Sequence, residues 1–322
     1  MNKQLLIHKY NPKHLDEFIG NDEVKLFLKN MIQCNCISFI LLGSQGYGKT
    51  SFLEAFVNDY FKGHNITNFH NNVLYINQFK EQGIHFFKNE VKHFCKTHSL
   101  SKHIKKILVL DNLDSIPECS QYIIQYLIDK YSHQILFIAS ACSQQKILSC
   151  LQSRMISHTI QYPRYQDLFN YSKIIIDNEK ILITKDCIID KIVTKSDYSF
   201  RKLINLLDKV HLLGEEINEE IISDICSDIN DKLYDTIIEN LRNGMLGQAI
   251  HTIHKMTYLG YSNIDIYDNF YHYIKNSDLE ECVKLTIIPI ICEFITNFYN
   301  YYEDHIELVI FTNKLYKILR LK

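Results

Sequence analysis

One stretch constrains this chain more than any other: Ile40-Leu41-Leu42-Gly43-Ser44-Gln45-Gly46-Tyr47-Gly48-Lys49-Thr50-Ser51. The apolar run from Phe39 to Leu42 predicts a buried strand. A glycine loop follows, and Ser51-Phe52-Leu53-Glu54-Ala55-Phe56-Val57 has helical periodicity. Strand, G-x-x-x-x-G-K-T and helix in that order make a phosphate-binding loop. Glycines let backbone N–H groups turn inward around phosphates, and the helix N-terminus adds partial positive charge. Gly43 through Ser51 are therefore the candidate nucleotide-binding residues. Lys49 is expected to reach the β- and γ-phosphates, and the Thr50 hydroxyl to hold Mg²⁺.

Length bounds what surrounds this loop. With 322 residues, the chain suggests about two to three domains. A net charge of −2 argues against a surface coated with basic residues for nucleic acid. Any such contact has to come from a local patch or from helix N-termini. The 10 cysteines include no C-x-x-C and no matched Cys/His quartet, so no zinc site is expected and the thiols are read as reduced. With no signal peptide and no apolar run of about 18 residues, the chain is expected to be intracellular, neither secreted nor membrane-spanning. The abundance of Ile, Asn, Lys, Tyr and Phe suggests an A/T-rich genome.

Ahead of the loop, Lys9-Tyr10-Asn11-Pro12 and Leu15 to Asn21 lead into a helix from Asp22 to Ile32, with Asn21 or Asp22 as its N-cap. Behind it, Asn72 to Asn77 predicts a strand, Gln78 to Gly83 a polar loop, and Ile84 to His98 a helix. That helix carries Lys88, Lys92 and Lys96 on its polar face, either as a solvated face or as contacts to a phosphate backbone.

Lys106-Ile107-Leu108-Val109-Leu110-Asp111 is the second landmark: an apolar strand ending in an aspartate placed to orient Mg²⁺. A glutamate that polarises the attacking water usually comes next in such ATPases, and here Asn112 stands there. An amide can orient water but cannot take its proton. Asp114 is read as the cap of a helix starting near Ile116-Pro117. Ser120 to Tyr131 predicts a helix, Gln134 to Cys142 a strand, and Gln145 to Leu151 a short helix ending in Gln152-Ser153-Arg154. Arg154 fits either a surface charge or a finger reaching a neighbour's γ-phosphate. Alternating strands and helices imply a parallel sheet between helices.

Past Gln161-Tyr162-Pro163 the periods turn helical and stay so to Lys322. Arg201 falls in the first turn of a helix, where a cation opposes the helix dipole, which singles it out. Leu233, Ile237, Ile238 and Leu241 form one stripe, and Ile250, Ile253 and Met256 another. Pro289 inside the apolar segment 287–298 implies a boundary or kink. The dense Tyr and Phe there read as helix-packing surface, within the chain or between subunits. His251 and His254 lack a third ligand, so no metal is expected.

These landmarks together resemble the small subunits of replication factor C, the AAA+ clamp loaders of eukaryotes, archaea and large DNA viruses. Lys9-Tyr10-Asn11-Pro12 to Gly20 is similar to the K-Y-R-P…L-D-E…G opening, with Asn11 for arginine. Gly43 to Ser51 matches the P-loop. Asn77, Gly83 and Ile84 are kept from N-A-S-D-x-R-G-I. Asp111, Asp114, Ser115, Gln121, Tyr131 and Ser132 are kept from D-E-A-D-S-M…A-Q…R-R…Y-S. Gln152-Ser153-Arg154 looks like Q-S-R-C, and Arg201 and Asn205 fall on the sensor-2 segment. The resemblance implies an α/β AAA+ P-loop domain over 1–161, a helical lid over 162–226 and a helical collar over 227–322. It implies ATP and Mg²⁺, with Gly43 to Ser51, Tyr10, Pro12, Asp111 and Arg201 at the nucleotide and Thr50 and Asp111 at the metal. It implies Arg154 as a finger in trans and Lys88, Lys92 and Lys146 near the DNA backbone. The implied partners are related subunits in a hetero-pentamer, a PCNA-like sliding clamp and primer–template DNA at sites of replication. The helix after Asp114, around Ile116 to Ile123, is the implied clamp-facing element.

The departures from the family pattern bear on turnover. Asn112 replaces its glutamate, Cys142 replaces the sensor-1 asparagine, and Gln125 and Tyr126 replace a paired arginine. They imply a subunit that binds ATP and hydrolyses it weakly. Two other readings stay open: an initiator or branch-migration ATPase, which would end in a winged helix with a β-hairpin, and a non-hydrolysing, nucleotide-gated scaffold.

Overall fold

A computed structural model describes residues 5–34, 38–64, 69–76, 84–97, 104–181, 186–213, 231–277, 279–300 and 304–320. The expected loop 78–83, with Asn77, lies outside them, as do His98 and residues 214–230. The chain forms two compact units, Met1–Ile217 and Asn218–Lys322.

In the first unit, α1 (Leu6–Lys9) and α2 (Asp22–Cys34) precede β1 (Phe39–Leu42) and α3 (Lys49–Gly63). Then come β2 (Val73–Ile76), α4 (Ile84–Phe86), a π turn (Phe87–Val91) and α5 (Lys92–Lys96). β3 (Lys106–Leu110), α6 (Glu118–Tyr131), β4 (Ile135–Ala141), α7 (Ser149–Gln152) and β5 (Ile156–Thr159) complete the sheet layer. α8 (Tyr165–Glu179), α9 (Asp186–Lys195) and α10 (Phe200–Leu213) follow. The strands pair in parallel in the order β2-β3-β4-β1-β5.

β1, β3 and β4 are buried at every residue, as strands covered on both faces must be. Their side chains alternate between two cores. Phe39, Leu41, Ile107, Val109, Leu136 and Ile138 pack with Leu28 of α2 and Phe52 and Phe56 of α3. Ile40, Leu42, Leu108, Leu110, Ile135 and Phe137 pack with Phe87, Val91, Ile124 and Leu127.

Several sequence expectations need correction. β5 was not anticipated: it pairs on one side only, with Phe39 opposite Ile156, and three of its four residues are exposed, so no apolar run announces it. The helix expected over 145–151 is instead a 3₁₀ turn, Gln144–Lys146, followed by α7. Pro117 caps α6 and no side chain does; Asp114 sits in the preceding 3₁₀ turn with other partners, described below.

The second unit is helical throughout its described residues: α11 (Asp231–Arg242), α12 (Leu246–Tyr258), α13 (Asn263–Asn276), α14 (Glu281–Asn300) and α15 (His305–Arg320). Tyr234, Tyr267, Phe270, Ile287, Phe294 and Phe311 form its core. Ser262 starts α13 with a capping box, its hydroxyl accepting the Asp265 N–H at 3.2 Å. Of the boundary or kink expected at Pro289, the boundary does not occur: α14 runs through it, with the proline exposed. By length and composition α14 is apolar enough to cross a membrane, yet Val283, Ile287, Ile291 and Phe294 give it a face buried in this core.

Candidate nucleotide site

The sheet order sets the site. β3, β4 and β1 are neighbours, so Asp111, Cys142 and the 43–50 loop emerge together at their carboxyl ends. Ligands of open parallel sheets bind at that edge. The Gly43 N–H donates to the Ala141 carbonyl at 3.2 Å, which pins the loop to β4. Gly46 and Gly48 have φ of 80° and 84°, a backbone that L side chains rarely adopt. At Gly46 the crowding is also direct, because a Cβ would lie 2.0 Å from the Ser199 hydroxyl.

Lys49 is only 6% exposed. Its ammonium donates to the carbonyls of Gly43 (2.8 Å) and Ser44 (2.9 Å) and to the Cys142 sulfur (3.3 Å). None of these acceptors is a carboxylate, and Lys49 forms no ion pair among the described residues. A buried cation surrounded by neutral acceptors is a seat for an anion.

Beside it, the Thr50 hydroxyl lies 3.1 Å from both carboxylate oxygens of Asp111. A hydroxyl and a carboxylate are hard oxygen donors, which suit Mg²⁺ when phosphate oxygens share it. Asp111 is held by Ser140, whose hydroxyl donates to Oδ1 at 2.5 Å and accepts the Asn112 N–H at 2.9 Å. Asn112 has φ 55° and ψ 56°, the left-handed region. Asp114 Oδ2 accepts the N–H groups of Cys142 and Ser143 at 3.2 Å each, so it fixes the loop after β4. Gln121, buried on α6, ties the same loop from behind through the Lys146 carbonyl (3.1 Å) and the Leu148 N–H (3.0 Å).

These groups line a cavity of about 860 Å³ together with Tyr10, Pro12, Phe200, Arg201 and Ile204. α10 thus brings Arg201 to the phosphate loop. The N-terminal segment is strapped across α8: Tyr10 Oη and Lys9 Nζ both donate to Glu179 Oε1 at 2.6 Å. Burial and then Glu179 push the Tyr10 phenol up to about 12, and the bonds from Lys9 and Tyr10 hold the Glu179 carboxyl below its usual range. Asn11 donates to Glu54 of α3 at 3.0 Å.

Gln45 to Ser51, Asp111, Asn112, Cys142, Arg201, Tyr10 and Pro12 therefore share one cavity, while Gly43 and Ser44 touch it through Lys49. Arg154 is not in its lining. It is exposed, with Nε 2.5 Å from Asp129 and a terminal nitrogen 2.7 Å from the Cys150 carbonyl. The three lysines considered for DNA separate: Lys146 rims the nucleotide cavity, and Lys88 and Lys92 line a different groove. Sequence reasoning missed Ser140 and Ser199. A buried serine near the end of an otherwise apolar strand was the available signal for Ser140.

Residues 37–163 match the AAA domain family, and residues 229–296 match the replication factor C C-terminal domain. The chain is 27% identical over 292 residues to a replication factor C small subunit of Methanococcus vannielii, covering 89% of this chain and 91% of that one. It is 28% identical to the one of Picrophilus torridus, covering 89% of each. Among solved structures, RuvB of Thermotoga maritima, a Holliday junction branch migration motor, superposes with a TM-score of 0.53 at 19% identity over 72% of this chain and 79% of that one. Another RuvB form gives 0.53 at 21% identity over 76% and 86%. At such identities the likeness speaks for the fold alone.

Proposed function

We infer that this chain, a homologue of the replication factor C small subunits with an AAA domain and a replication factor C C-terminal domain, is one subunit of a clamp loader. In this reading the complex uses ATP to open a PCNA-like ring and load it onto primer–template DNA. The partners are related subunits, a hetero-pentamer in all, at sites of DNA replication. Residues 1–161 are the nucleotide-binding domain, 162–226 the lid and 227–322 the collar.

The observation that carries the nucleotide reading is Lys49, a buried ammonium with only neutral partners among the described residues, beside the Thr50–Asp111 pair. Lys49 and the N–H groups of the 43–50 loop bind the phosphates of ATP. Thr50 and Asp111 hold Mg²⁺, which neutralises charge gathering on the transferred phosphoryl oxygens. Arg201 supplies a further cation from α10. Tyr10 and Pro12 also line the cavity.

Turnover at this site is weak. The Asn112 amide can orient a water but cannot accept its proton. Cys142 puts a thiol where the family pattern has an amide, and its sulfur is engaged by Lys49. Arg154 is exposed and away from its own cavity, as a group acting on a neighbour's nucleotide must be. As an arginine finger it would be worth on the order of 10³-fold in that neighbour's turnover.

A nucleotide-gated scaffold subunit remains the second reading, favoured by Asn112 and Cys142. The branch-migration alternative is disfavoured: residues 231–320 hold no strand among those described, so no hairpin of a winged helix lies there.

The test is binding of a fluorescent ATP analogue with Mg²⁺ to the full chain and to Lys49→Ala. The variant is expected to bind at least tenfold more weakly. Equal binding would refute the site.

A further inference from the structure

A second groove, of about 440 Å³, runs between α6 and the helical run from α4 to α5. One side supplies Lys88, Asn89 and Lys92, and the other Tyr122, Ile123, Tyr126 and Leu127. Its composition is unusual for a surface. The lysines lie one helical turn apart, and so do the tyrosines on the facing helix. Among the described residues no carboxylate lines the groove, and neither lysine ammonium forms an ion pair or hydrogen bond. Tyr122 and Tyr126 are 56% and 50% exposed, more than rings serving a core need to be. Lys130 donates to the Tyr126 oxygen at 3.3 Å, so a further cation stands at that ring.

We propose that this groove binds unpaired nucleotides of a nucleic-acid strand. The deduction rests on the DNA-binding part of the function inferred above and names which part of the DNA is held. Phosphates take the unpaired ammonium groups of Lys88 and Lys92. Bases lie on Tyr122 and Tyr126, with Ile123 and Leu127 as an apolar floor, because every base has a π-face and stacking tolerates any sequence. Asn89 offers both a donor and an acceptor to a base edge. A duplex keeps its bases stacked inside and would use only the lysines. The tyrosines therefore give the groove a preference for single strands. A chain with net charge −2 needs such a local site if it is to hold DNA at all. An acidic peptide would match the lysines but leave the paired, half-exposed rings unexplained.

The experiment is fluorescence anisotropy of labelled oligothymidine, and of a duplex of equal length, with the full chain at several salt concentrations. Four proteins are compared: wild type, Tyr122→Ala with Tyr126→Ala, Tyr122→Phe with Tyr126→Phe, and Lys88→Ala with Lys92→Ala. The alanine pair at the tyrosines is expected to bind oligothymidine at least tenfold more weakly, with duplex binding changed less than twofold. The phenylalanine pair, which keeps the rings, should bind within twofold of wild type and thereby excludes simple misfolding. The lysine pair should weaken both ligands and lower the single-strand salt slope by about 1.4, the value for two phosphates. If the tyrosine-to-alanine protein binds oligothymidine like wild type, or loses both ligands equally, the base platform is refuted while the DNA reading stands. Wild type that binds neither ligand refutes both. If the alanine pair leaves DNA binding intact and abolishes capture of a sliding clamp, the groove docks protein instead.

Discussion

At Asn112 two demands meet on one side chain. Its backbone is left-handed, with φ 55°, and asparagine tolerates that region better than longer side chains do. Its amide also lines the nucleotide cavity, where a carboxylate would be the better base. Asn112→Glu should therefore move two quantities in opposite directions. Turnover at this chain's own site should rise about tenfold or more, since general base catalysis typically contributes 10²–10⁴-fold. Stability should fall by about 1 kcal/mol from backbone strain. Steady-state ATPase and urea titration read the two, and unchanged turnover would mean that Asn112 does not limit hydrolysis at this site. His158 gives a second residue-scale expectation. Its ring stacks on Phe27 at 4.5 Å, and its buried Nε2 has no partner among the described residues. Burial lowers its pKa below 6.5, against a smaller opposing pull from Glu23. The folded state thus prefers the neutral ring. As pH falls from about 6.5 through the folded pKa, the unfolded chain takes up the proton first and stability is lost. His158→Phe keeps the stack and removes the titration, so its stability should decline less between pH 7.5 and 5. Identical declines in the two proteins would contradict this.

Among elements, the phosphate loop and the turn before α10 approach each other at Gly46 and Ser199. Asp197 and Tyr198 both have positive φ, 49° and 55°, and they deliver Ser199 onto Gly46. Strain of this kind persists only where packing over-determines it. Gly46→Ala should cost about 2 kcal/mol, from its φ and from the clash with the Ser199 hydroxyl. In a Ser199→Ala background the cost should drop by about 1 kcal/mol, a coupling readable in a double-mutant cycle. Equal costs in both backgrounds would mean that the two elements do not press on each other. None of this was legible in the sequence. The strand–loop–helix around Lys49 was, because its apolar run and its glycines are local signals. β5 was not, because an edge strand buries little and shows no run of apolar residues. The 3₁₀ turn at Asp114 was misread because an aspartate ahead of a helix signals a cap, whereas here its carboxylate holds the backbone of Cys142 and Ser143 across the sheet edge.

At the scale of the whole chain, the sequence carried the order of classes well: strands and helices to about residue 160, then helices. Periodicity is a local property, and each helix of the second unit announces its buried stripe, as Ile237, Ile238 and Leu241 do for α11. It could not say that α14 continues through Pro289, because neighbouring helices supply the packing that makes up for the missing N–H. Nor could it say which cations are paired, and the functional reading turns on that: Lys49 is without a counter-charge among the described residues, and Arg154 is exposed on Asp129. On the proposed reading, the phosphate site serves this chain and the exposed Arg154 serves a neighbour. The most direct measurement is to tag the full chain, purify it gently from its source and identify by mass spectrometry what comes with it. The account requires a ring-shaped sliding clamp and several related P-loop chains. A branch-migration helicase or an initiator in their place, with no clamp, would contradict it.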